Sequence, residues 1–401
     1  MTGRQNQVPI GSAMKTLTTT QDLAAFCDLA KAAPYVTIDT EFLRERTYYS
    51  KLCLIQMALP GPKGPDGGPA VLVDPIAGEM SLDPLYDLFR HTPTMKVFHA
   101  ARQDLEIFFY EGDCFPTPLF DTQVAAMVCG FGDQVGYETL VKKICRASVD
   151  KTSRFTDWSR RPLSDAQQKY ALADVTHLRG IYEHLSAELA KTGRTRWVAE
   201  ELEVLTTPDT YIVRPDEAWQ RIKTRTSSGR FMAIVRELAR FREDYAQSRN
   251  IPRGRVYKDD ALLELASTKP GSAEDLNASR LLLREARRGD IAEGILKAVR
   301  DGLAASADSF PAVDAAKVAQ QVNPALADLL RVLLKAKSEE TGVAQKLIAN
   351  AADLDALASG ARDAPCLRGW RAEVFGTDAL RLCAGEIALS ARGTDVIVVP
   401  L

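Results

Sequence analysis

The chain has 401 residues, which is more than one hydrophobic core usually supports, so we expect two or three domains. Hydrophobic residues make up 46% and charged residues 26%, a composition that is typical of globular proteins and argues against disorder. Because the formal net charge is only −2, affinity for a polyanion would have to come from a local basic patch.

The sequence argues against a membrane or secreted protein. Its apolar runs stay below the roughly 18 residues of a membrane span, and its first residues lack the apolar stretch of a signal peptide. The seven cysteines are odd in number and scattered, with no CxxC pair. This pattern disfavours a disulfide framework and a structural zinc site, and it predicts reduced cysteines in a cytoplasmic protein.

The first 210 residues are predicted to form a mixed α/β domain. A helical pattern at Thr20–Lys31 is followed by short apolar runs that are typical of strands. From Asp121 onward helical patterns dominate, and strands followed by helices indicate a mixed sheet with helices. The predicted strands cover residues 35–39, 51–58, 70–75 and 96–99.

The remainder of the chain is predicted to be helical and contains a weak internal repeat. Arg236-x-Leu-x-Arg-x-Arg242 recurs as Arg331-x-Leu-x-Lys-x-Lys337, and residues 262–266 recur at 354–358. The offsets of 95 and 92 residues fit two copies of one small helical domain joined by a linker near 304–312. Chance similarity between amphipathic helices explains the repeat equally well, so duplication stays open on this pattern alone.

Four acidic residues and a tyrosine are the candidates for chemistry. Asp39 and Glu41 end a predicted strand and project to the same face, because a strand alternates its side chains. Two carboxylates about 4 Å apart repel by about 4 kcal/mol at an effective dielectric of about 20, so such a pair is tolerated in solvent or around a cation. Asp104 starts a helical stretch, and Tyr170 and Asp174 share one helix face. These candidates supply only oxygen ligands, and a site of that kind favours Mg²⁺ or Mn²⁺.

These residues resemble the three motifs of the DEDD exonuclease superfamily. The matching segments are Asp39-Thr-Glu41-Phe, Phe98-His-Ala-x-x-x-Asp104 and Tyr170-x-x-x-Asp174. The tyrosine is similar to that of the DEDDy branch, and Lys169 stands where the DEDDh branch has a histidine. The segment 157–175 is similar to the ribonuclease D family, and the resemblance covers residues 14 to about 210.

The resemblance implies an RNase H-like mixed-sheet domain that binds two divalent cations, Mg²⁺ or Mn²⁺. Asp39, Glu41 and Asp174 would hold the ion that binds the attacking water, and Asp39 and Asp104 would hold the second ion. Tyr170 would orient the water. Two ions of this kind clamp the attacking and leaving oxygens of an in-line displacement. The implied product is a nucleoside 5′-monophosphate released from a 3′ end.

Three further residues are candidates for substrate contact, each with a plainer alternative. Phe42 is either a base-stacking residue or a core aromatic, and Gln56 is either a substrate contact or a hydrogen-bonded buried amide. His99 is expected to be a hydrogen-bonded residue near the site rather than a base. Asp121 is expected to cap a helix rather than to bind metal.

A basic window covers residues 221–258. It holds eleven lysines and arginines against three acidic residues, a local charge of +8. Within it, Arg253 and Arg255 lie in a predicted loop beside Tyr257, and such cations give salt-sensitive affinity for a nucleic-acid backbone. A solvated helix face is the alternative.

The helical region resembles the HRDC (helicase and ribonuclease D C-terminal) domain. Asn250-Ile-Pro followed by Leu262-x-Glu-Leu-Ala fits the first copy well, and Val343-Ala fits the second copy moderately. The implied organisation is a leader over residues 1–13 that is disordered or added in cloning, an exonuclease domain over 14–210, and HRDC-like domains over 211–300 and 301–401. The implied partners are RNA and above all 3′-extended tRNA precursors, with no membrane and no organic cofactor. A DNA exonuclease and an inactive RNA-binding protein are the alternatives.

Overall fold

The computed structural model describes residues 15–150, 152–226, 228–311 and 322–401. The expected leader, residues 1–13, lies outside the described residues, as does Ala312 at the end of the expected linker. Within the described ranges, the helices lack the combination of length and apolarity that a membrane crossing requires.

The chain divides into two compact units. The first comprises the described residues of Met1–Glu41, Leu52–Thr207 and Ala319–Leu401, and the second comprises those of Phe42–Lys51 and Pro208–Val318. The C-terminal helical region therefore belongs to the same unit as the N-terminal domain. The intermediate helical region instead forms a unit with the short segment that follows Glu41.

A six-stranded mixed sheet lies at the centre of the first unit. Its strands are β1 (Lys15–Leu17), β2 (Tyr35–Leu43), β3 (Lys51–Ala58), β4 (Ala70–Val73), β5 (Met95–Phe98) and β6 (Leu119–Asp121). Their order is β1-β4-β3-β2-β5-β6, and β2 runs parallel to β5 while β3 runs antiparallel to β4. The predicted mixed sheet is confirmed. The outer strands β1 and β6 have only three residues each, too few for a periodic pattern to reveal them.

Seven helices surround this sheet in the described N-terminal part of the first unit. They are α1 (Thr20–Lys31), α2 (Asp83–Arg90), α3 (Arg102–Gly112), α4 (Thr122–Val128), α5 (Tyr137–Leu140), α6 (Asp165–Thr192) and α7 (Thr195–Glu203). The bounds predicted for α1 are confirmed, and the Thr19 hydroxyl caps the helix by accepting a hydrogen bond from the backbone N–H of Asp22. The long helix α6 contributes Leu178 and Ile181 to a buried hydrophobic core that also contains Val97 of β5.

The two helical regions show the same order of elements. A long helix is followed by a one-turn helix, a short helix, a 3₁₀ turn and a closing helical segment. In the second unit these are α8 (Gly229–Ser248), α9 (Arg253–Val256), α10 (Asp259–Thr268), residues 285–287 and α12 (Gly289–Ala304), with α11 (Ala273–Ala278) inserted. In the first unit they are α13 (Pro324–Thr341), α14 (Gln345–Ile348), α15 (Ala351–Ala358), residues 365–367, and α16 (Gly369–Arg371) with α17 (Thr377–Ala384). This correspondence favours duplication over chance similarity.

The end of the chain differs from the helical prediction. A two-stranded antiparallel hairpin, β7 (Ile387–Arg392) and β8 (Asp395–Pro400), follows α17. Gly393 makes the turn possible, since its φ of +64° is a conformation that favours glycine. The run Val396–Val399 is entirely β-branched, which favours a strand over a helix.

Candidate active site

The first acidic pair lies on the central strand β2. Asp39 and Glu41 are partly exposed, whereas Thr40 between them is buried, as the alternation of a strand requires. Two residues before Asp39, the Thr37 hydroxyl donates hydrogen bonds to the carbonyl oxygens of Val175 (2.8 Å) and Ala58 (3.1 Å). These bonds fix the strand against helix α6 and against β3.

Asp104 reaches the site from the first turn of α3. Its side chain is 6% exposed and accepts a hydrogen bond from the Thr40 hydroxyl. The turn that leads into α3 contains Ala100 in a left-handed conformation, with a φ of 57°. The position of Asp104 therefore depends on how that turn is held.

Asp121 holds the turn. Its carboxylate accepts hydrogen bonds from the backbone N–H groups of Ala100 (3.0 Å), Ala101 (2.8 Å) and Gln123 (2.7 Å). The prediction that Asp121 caps a helix is confirmed for α4. The bonds to Ala100 and Ala101 add a second role, since they connect the starts of α4 and α3.

Tyr170 and Asp174 lie one turn apart near the start of α6. A capping box between Ser164 and Gln167 fixes that helix end. The Tyr170 hydroxyl is hydrogen-bonded to the Asp174 carboxylate, and the Trp158 ring packs 6.0 Å from the Tyr170 ring, centroid to centroid. The predicted shared helix face is therefore present.

The four carboxylates lie close enough to perturb one another electrostatically. Burial, followed by repulsion from Asp39, Asp174 and Asp104, raises the pKa of Glu41 to about 10, and the nearby Arg154 acts in the opposite direction. Burial and repulsion from Asp174 raise the pKa of Asp39, and burial and repulsion from Asp39 raise the pKa of Asp104. Burial raises the pKa of Asp174 to about 7 against the hydrogen bond from Tyr170.

This donor set fits divalent cations chemically. Crowded, desolvated carboxylates are costly unless positive charge compensates them, and carboxylate oxygens are the ligands of hard ions. Across the part of the chain that the structure describes, however, no three His, Cys, Asp or Glu side chains stand in metal-ligand geometry. Asp104 and Asp174 instead each engage a hydroxyl group, those of Thr40 and Tyr170. The carboxylates are thus neighbours, and their role as metal ligands stays a prediction.

A cavity of about 430 Å³ opens beside these residues. Its lining includes Asp39, Tyr170 and Asp174, together with His99 and Arg154 from other segments. The lining does not include the other two acids, Glu41 and Asp104. The cavity gives a ligand direct access to one end of the acidic cluster.

His99 and Gln56 occupy different environments. The His99 Nδ1 lies 3.0 Å from the Thr122 hydroxyl, and burial lowers the pKa of this imidazole, which favours a hydrogen-bonding role over a charged one. Gln56 is fully buried on β3, and its amide nitrogen and oxygen have no hydrogen-bond partner among the described residues. Gln56 is therefore a buried amide, but it lacks the hydrogen bonds that the plainer alternative predicted. Phe42 is half-buried near the end of β2 and belongs to the second unit.

Many cations of the basic window are engaged in structural contacts. Arg253 donates to Glu243 (Nη2 to Oε1, 2.7 Å) and to the Tyr48 hydroxyl (2.7 Å), and its guanidinium lies over the Tyr48 ring. Four other arginines pair with acids: Arg236, Arg240, Arg242 and Arg249. Among the described residues of this window, the exposed cations without an ion pair are Arg221, Lys223, Arg225, Arg255 and Lys258. The net charge of the sequence window therefore overstates the free positive charge.

The sequence reasoning missed Arg161 and its contacts. The guanidinium donates to Asp74 (Nη2 to Oδ1, 2.8 Å), to the Cys53 carbonyl (2.7 Å) and to the Trp158 carbonyl (2.7 Å). It thereby fixes the segment that places Trp158 against Tyr170. The only signal was the Trp158-x-x-Arg161 spacing in the ribonuclease D-like segment, which gives no indication that Asp74 is the partner.

Comparisons with known proteins agree with this geometry. Residues 14–190 match the family model of a 3′-5′ exonuclease, and residues 231–299 match that of the HRDC domain. A ribonuclease D of Jannaschia sp. (strain CCS1) is 63% identical over 96% of this chain and 99% of its own length. The ribonuclease D of Granulibacter bethesdensis is 47% identical over 95% of each chain. The crystal structure of Escherichia coli RNase D, described as an exoribonuclease involved in structured RNA processing, superposes with a TM-score of 0.78 at 27% identity, covering 93% of this chain and 99% of that one.

Proposed function

The chain belongs to the ribonuclease D family of 3′→5′ exonucleases, and from this premise we propose that it releases nucleoside 5′-monophosphates from the 3′ ends of RNA. The observation that carries the proposal is the meeting of Asp39, Asp104, Asp174 and Tyr170 from three separate elements. Three of them, Asp39, Tyr170 and Asp174, line one cavity. An RNA-binding scaffold without activity would gain nothing from carboxylates that raise one another's pKa. The inactive-scaffold alternative is accordingly disfavoured.

The family depends on divalent cations, and we propose two, Mg²⁺ or Mn²⁺, for this chain. Asp39, Glu41 and Asp174 would hold one ion, and Asp39 and Asp104 would hold the other. When bound, such ions lower the pKa of water and neutralise charge on the leaving oxygen. Since that chemistry supplies the nucleophile, the protein needs no histidine base, which agrees with the hydrogen-bonded His99.

Tyr170 is proposed to position the attacking water. Burial, followed by repulsion from Asp174 and Glu41, raises the pKa of its phenol above the ordinary value of 10, so the hydroxyl keeps its proton at neutral pH. A phenol in this state is a hydrogen-bond donor and acceptor and cannot act as a general base. The Trp158 ring and the bond to Asp174 restrict where that hydroxyl can point.

Replacement of the phenol tests this role. Tyr170→Phe should lower kcat about 10- to 100-fold, the effect of losing one hydrogen bond in a desolvated site, with RNA affinity unchanged. Steady-state kinetics and equilibrium binding separate the two quantities. Tyr182→Phe on the same helix, where the tyrosine packs against Tyr35 and Phe120, is the matched control. A loss of affinity without a loss of turnover would show that Tyr170 binds RNA and does not place water.

The substrate is proposed to be RNA in the cytoplasm, including tRNA precursors with 3′ extensions. The HRDC domain at residues 231–299 is the expected source of additional RNA contacts. Arg255 and Lys258 are exposed in that domain and have no ion-pair partner among the described residues, so they are available to contact phosphates. Contacts of this type weaken steeply as salt concentration rises.

The proposed function is tested by incubating the full chain with 3′-extended tRNA, unstructured RNA and single-stranded DNA, each with Mg²⁺, Mn²⁺ or EDTA. Both RNAs should be shortened from the 3′ end with release of mononucleotides, and EDTA should stop the reaction. Equal shortening of DNA would favour the DNA exonuclease alternative. Internal cleavage, or activity that persists in EDTA, would contradict the proposal.

A further inference from the structure

Arg154 stands out among the residues that line the cavity. It is the only lysine or arginine in the described lining, beside Asp39, Tyr170 and Asp174. Its side chain is exposed, and it makes no hydrogen bond or ion pair within the described residues. Its positive charge nevertheless acts on the acidic cluster. It favours the ionised forms of Glu41 and Asp174 and so opposes the rise in their pKa that burial causes.

The nearby Arg161 shows what a structural arginine looks like in the same segment. Its donors are bound by the Asp74 carboxylate and by the carbonyl oxygens of Cys53, Trp158 and Arg160. Arg154 has none of these bonds, although the carboxylates of Glu41 and Asp174 lie close enough for its charge to shift their pKa. Its guanidinium N–H groups are therefore available to a ligand that enters the cavity.

Phe155 provides a second feature at the same place. Its ring is 92% exposed, more than any other large hydrophobic side chain in the described part of the chain. The Arg154 guanidinium lies 5.3 Å from the centroid of this ring, a cation–π distance. An exposed ring beside an unpaired guanidinium offers one surface for a base and one group for a phosphate.

We propose that Arg154 binds the phosphate of the 3′-terminal nucleotide and that Phe155 stacks on the base of that nucleotide. This assignment rests on the proposed exonuclease function and deepens it by naming how the terminal nucleotide is held. A guanidinium can donate two parallel N–H···O hydrogen bonds to two phosphate oxygens, which a lysine ammonium cannot do. A fixed cation at this place also offsets the repulsion between the phosphodiester and Asp39, Glu41 and Asp174.

The test uses the reaction product, because a nucleoside monophosphate binds without reacting. Affinities of AMP and of adenosine for the full chain with Mg²⁺ are measured by calorimetry. Arg154→Gln should weaken AMP binding about 10- to 100-fold, the effect of a lost charge-assisted pair, and should leave adenosine binding unchanged. Arg154→Lys should restore AMP binding only in part. Phe155→Ala should weaken both ligands about tenfold, and Phe155→Tyr should restore both.

The controls separate this assignment from loss of fold and from failure of the proposed function. Arg392→Gln removes the same charge from an exposed position at the end of β7, outside the cavity lining, and should leave both affinities unchanged. Melting temperatures of all variants should match that of the parent, since both residues are exposed.

Three outcomes would contradict the assignment or its premise. If the parent chain is an active exonuclease and Arg154→Gln leaves the ratio of AMP affinity to adenosine affinity unchanged, the phosphate contact is overturned. Loss of AMP binding alone in Phe155→Ala would overturn the stacking. A parent chain that releases no mononucleotides from RNA would overturn the exonuclease function, and this assignment with it.

Discussion

Asp39→Asn should reduce release of mononucleotides from RNA by about 10³-fold or more, because loss of ligation by a shared carboxylate removes several kcal/mol of transition-state stabilisation. Asp39 is the one residue that the proposal assigns to both cations. It is also the carboxylate whose charge raises the pKa of Glu41 and Asp104. Single-turnover assays at saturating Mg²⁺ measure the effect on the chemical step.

The same substitution should leave the fold intact or stabilise it. Asparagine has the size of aspartate without the charge, so it removes repulsion within a desolvated cluster. The melting temperature of Asp39→Asn in EDTA should therefore equal or exceed that of the parent. Asp87→Asn, on the exposed face of α2, is the matched control and should change neither activity nor melting temperature by much. If the Asp39→Asn variant were folded and fully active, the metal-ligand assignment would be refuted.

The dependence of stability on pH gives an independent check. The folded protein raises the pKa of Glu41 from 4.5 to about 10 and that of Asp174 from 3.8 to about 7. Between the unfolded-state pKa and the folded-state pKa of each group, the folded state binds more protons than the unfolded state. The free energy of unfolding therefore falls as the pH rises through that range. In EDTA the parent should thus lose stability as the pH is raised through this window, and Asp39→Asn should show a shallower loss. A melting temperature that is independent of pH in both proteins would contradict the raised pKa values.

Sequence periodicity could predict the elements that position the site. Helix α1 and the four longer strands of the first domain carry enough residues for an apolar pattern to be recognised, and β1 and β6 do not. The acidic residues could be placed on one strand, one helix start and one helix face, since each placement is local. Their ligand geometry could not be predicted, because it depends on which hydroxyl groups Asp104 and Asp174 meet in the folded chain.

Contacts between distant residues account for most of what the sequence did not predict. The positive charge of the basic window is reduced by partners outside it, such as the pairing of Arg249 with Asp290 and of Arg242 with Asp259. Likewise, nothing local to Arg161 reveals that it pairs with Asp74, 87 residues away. The composition of a window gives a net charge, but it does not reveal which cations the fold uses internally.

The packing of the C-terminal region against α7 is the clearest case of such a long-range contact. Trp370 is fully buried and stacks on Trp197, with the centroids 4.9 Å apart and the planes 15° from parallel. Its indole N–H donates to Glu201 (2.8 Å), and Arg371 donates to the other oxygen of the same carboxylate (2.5 Å). These contacts join α16 to the domain that carries the acidic cluster.

Trp370→Ala should therefore destabilise the first unit by about 3–5 kcal/mol, the usual effect of deleting a buried tryptophan. It also removes one of the two donors to Glu201, which is costly for a largely buried carboxylate. Because the chain has two units, a single unfolding transition is not assumed, and amide hydrogen exchange locates the effect. Exchange should accelerate in α7 and α13, and α8 should be unaffected.

Two variants define what the tryptophan contributes. Trp370→Phe keeps an aromatic ring against Trp197 and loses the indole donor, so it should cost about 1–3 kcal/mol, the range for a buried polar group that loses a partner. Trp219→Ala, in the second unit, is the matched deletion and should accelerate exchange in α8, against which that ring packs. If Trp370→Ala left exchange in α7 unchanged, the C-terminal region would not support the domain that holds the carboxylates. Faster exchange throughout α7 would instead assign the C-terminal helical region a structural role, since Trp370 and Arg371 both act there through Glu201.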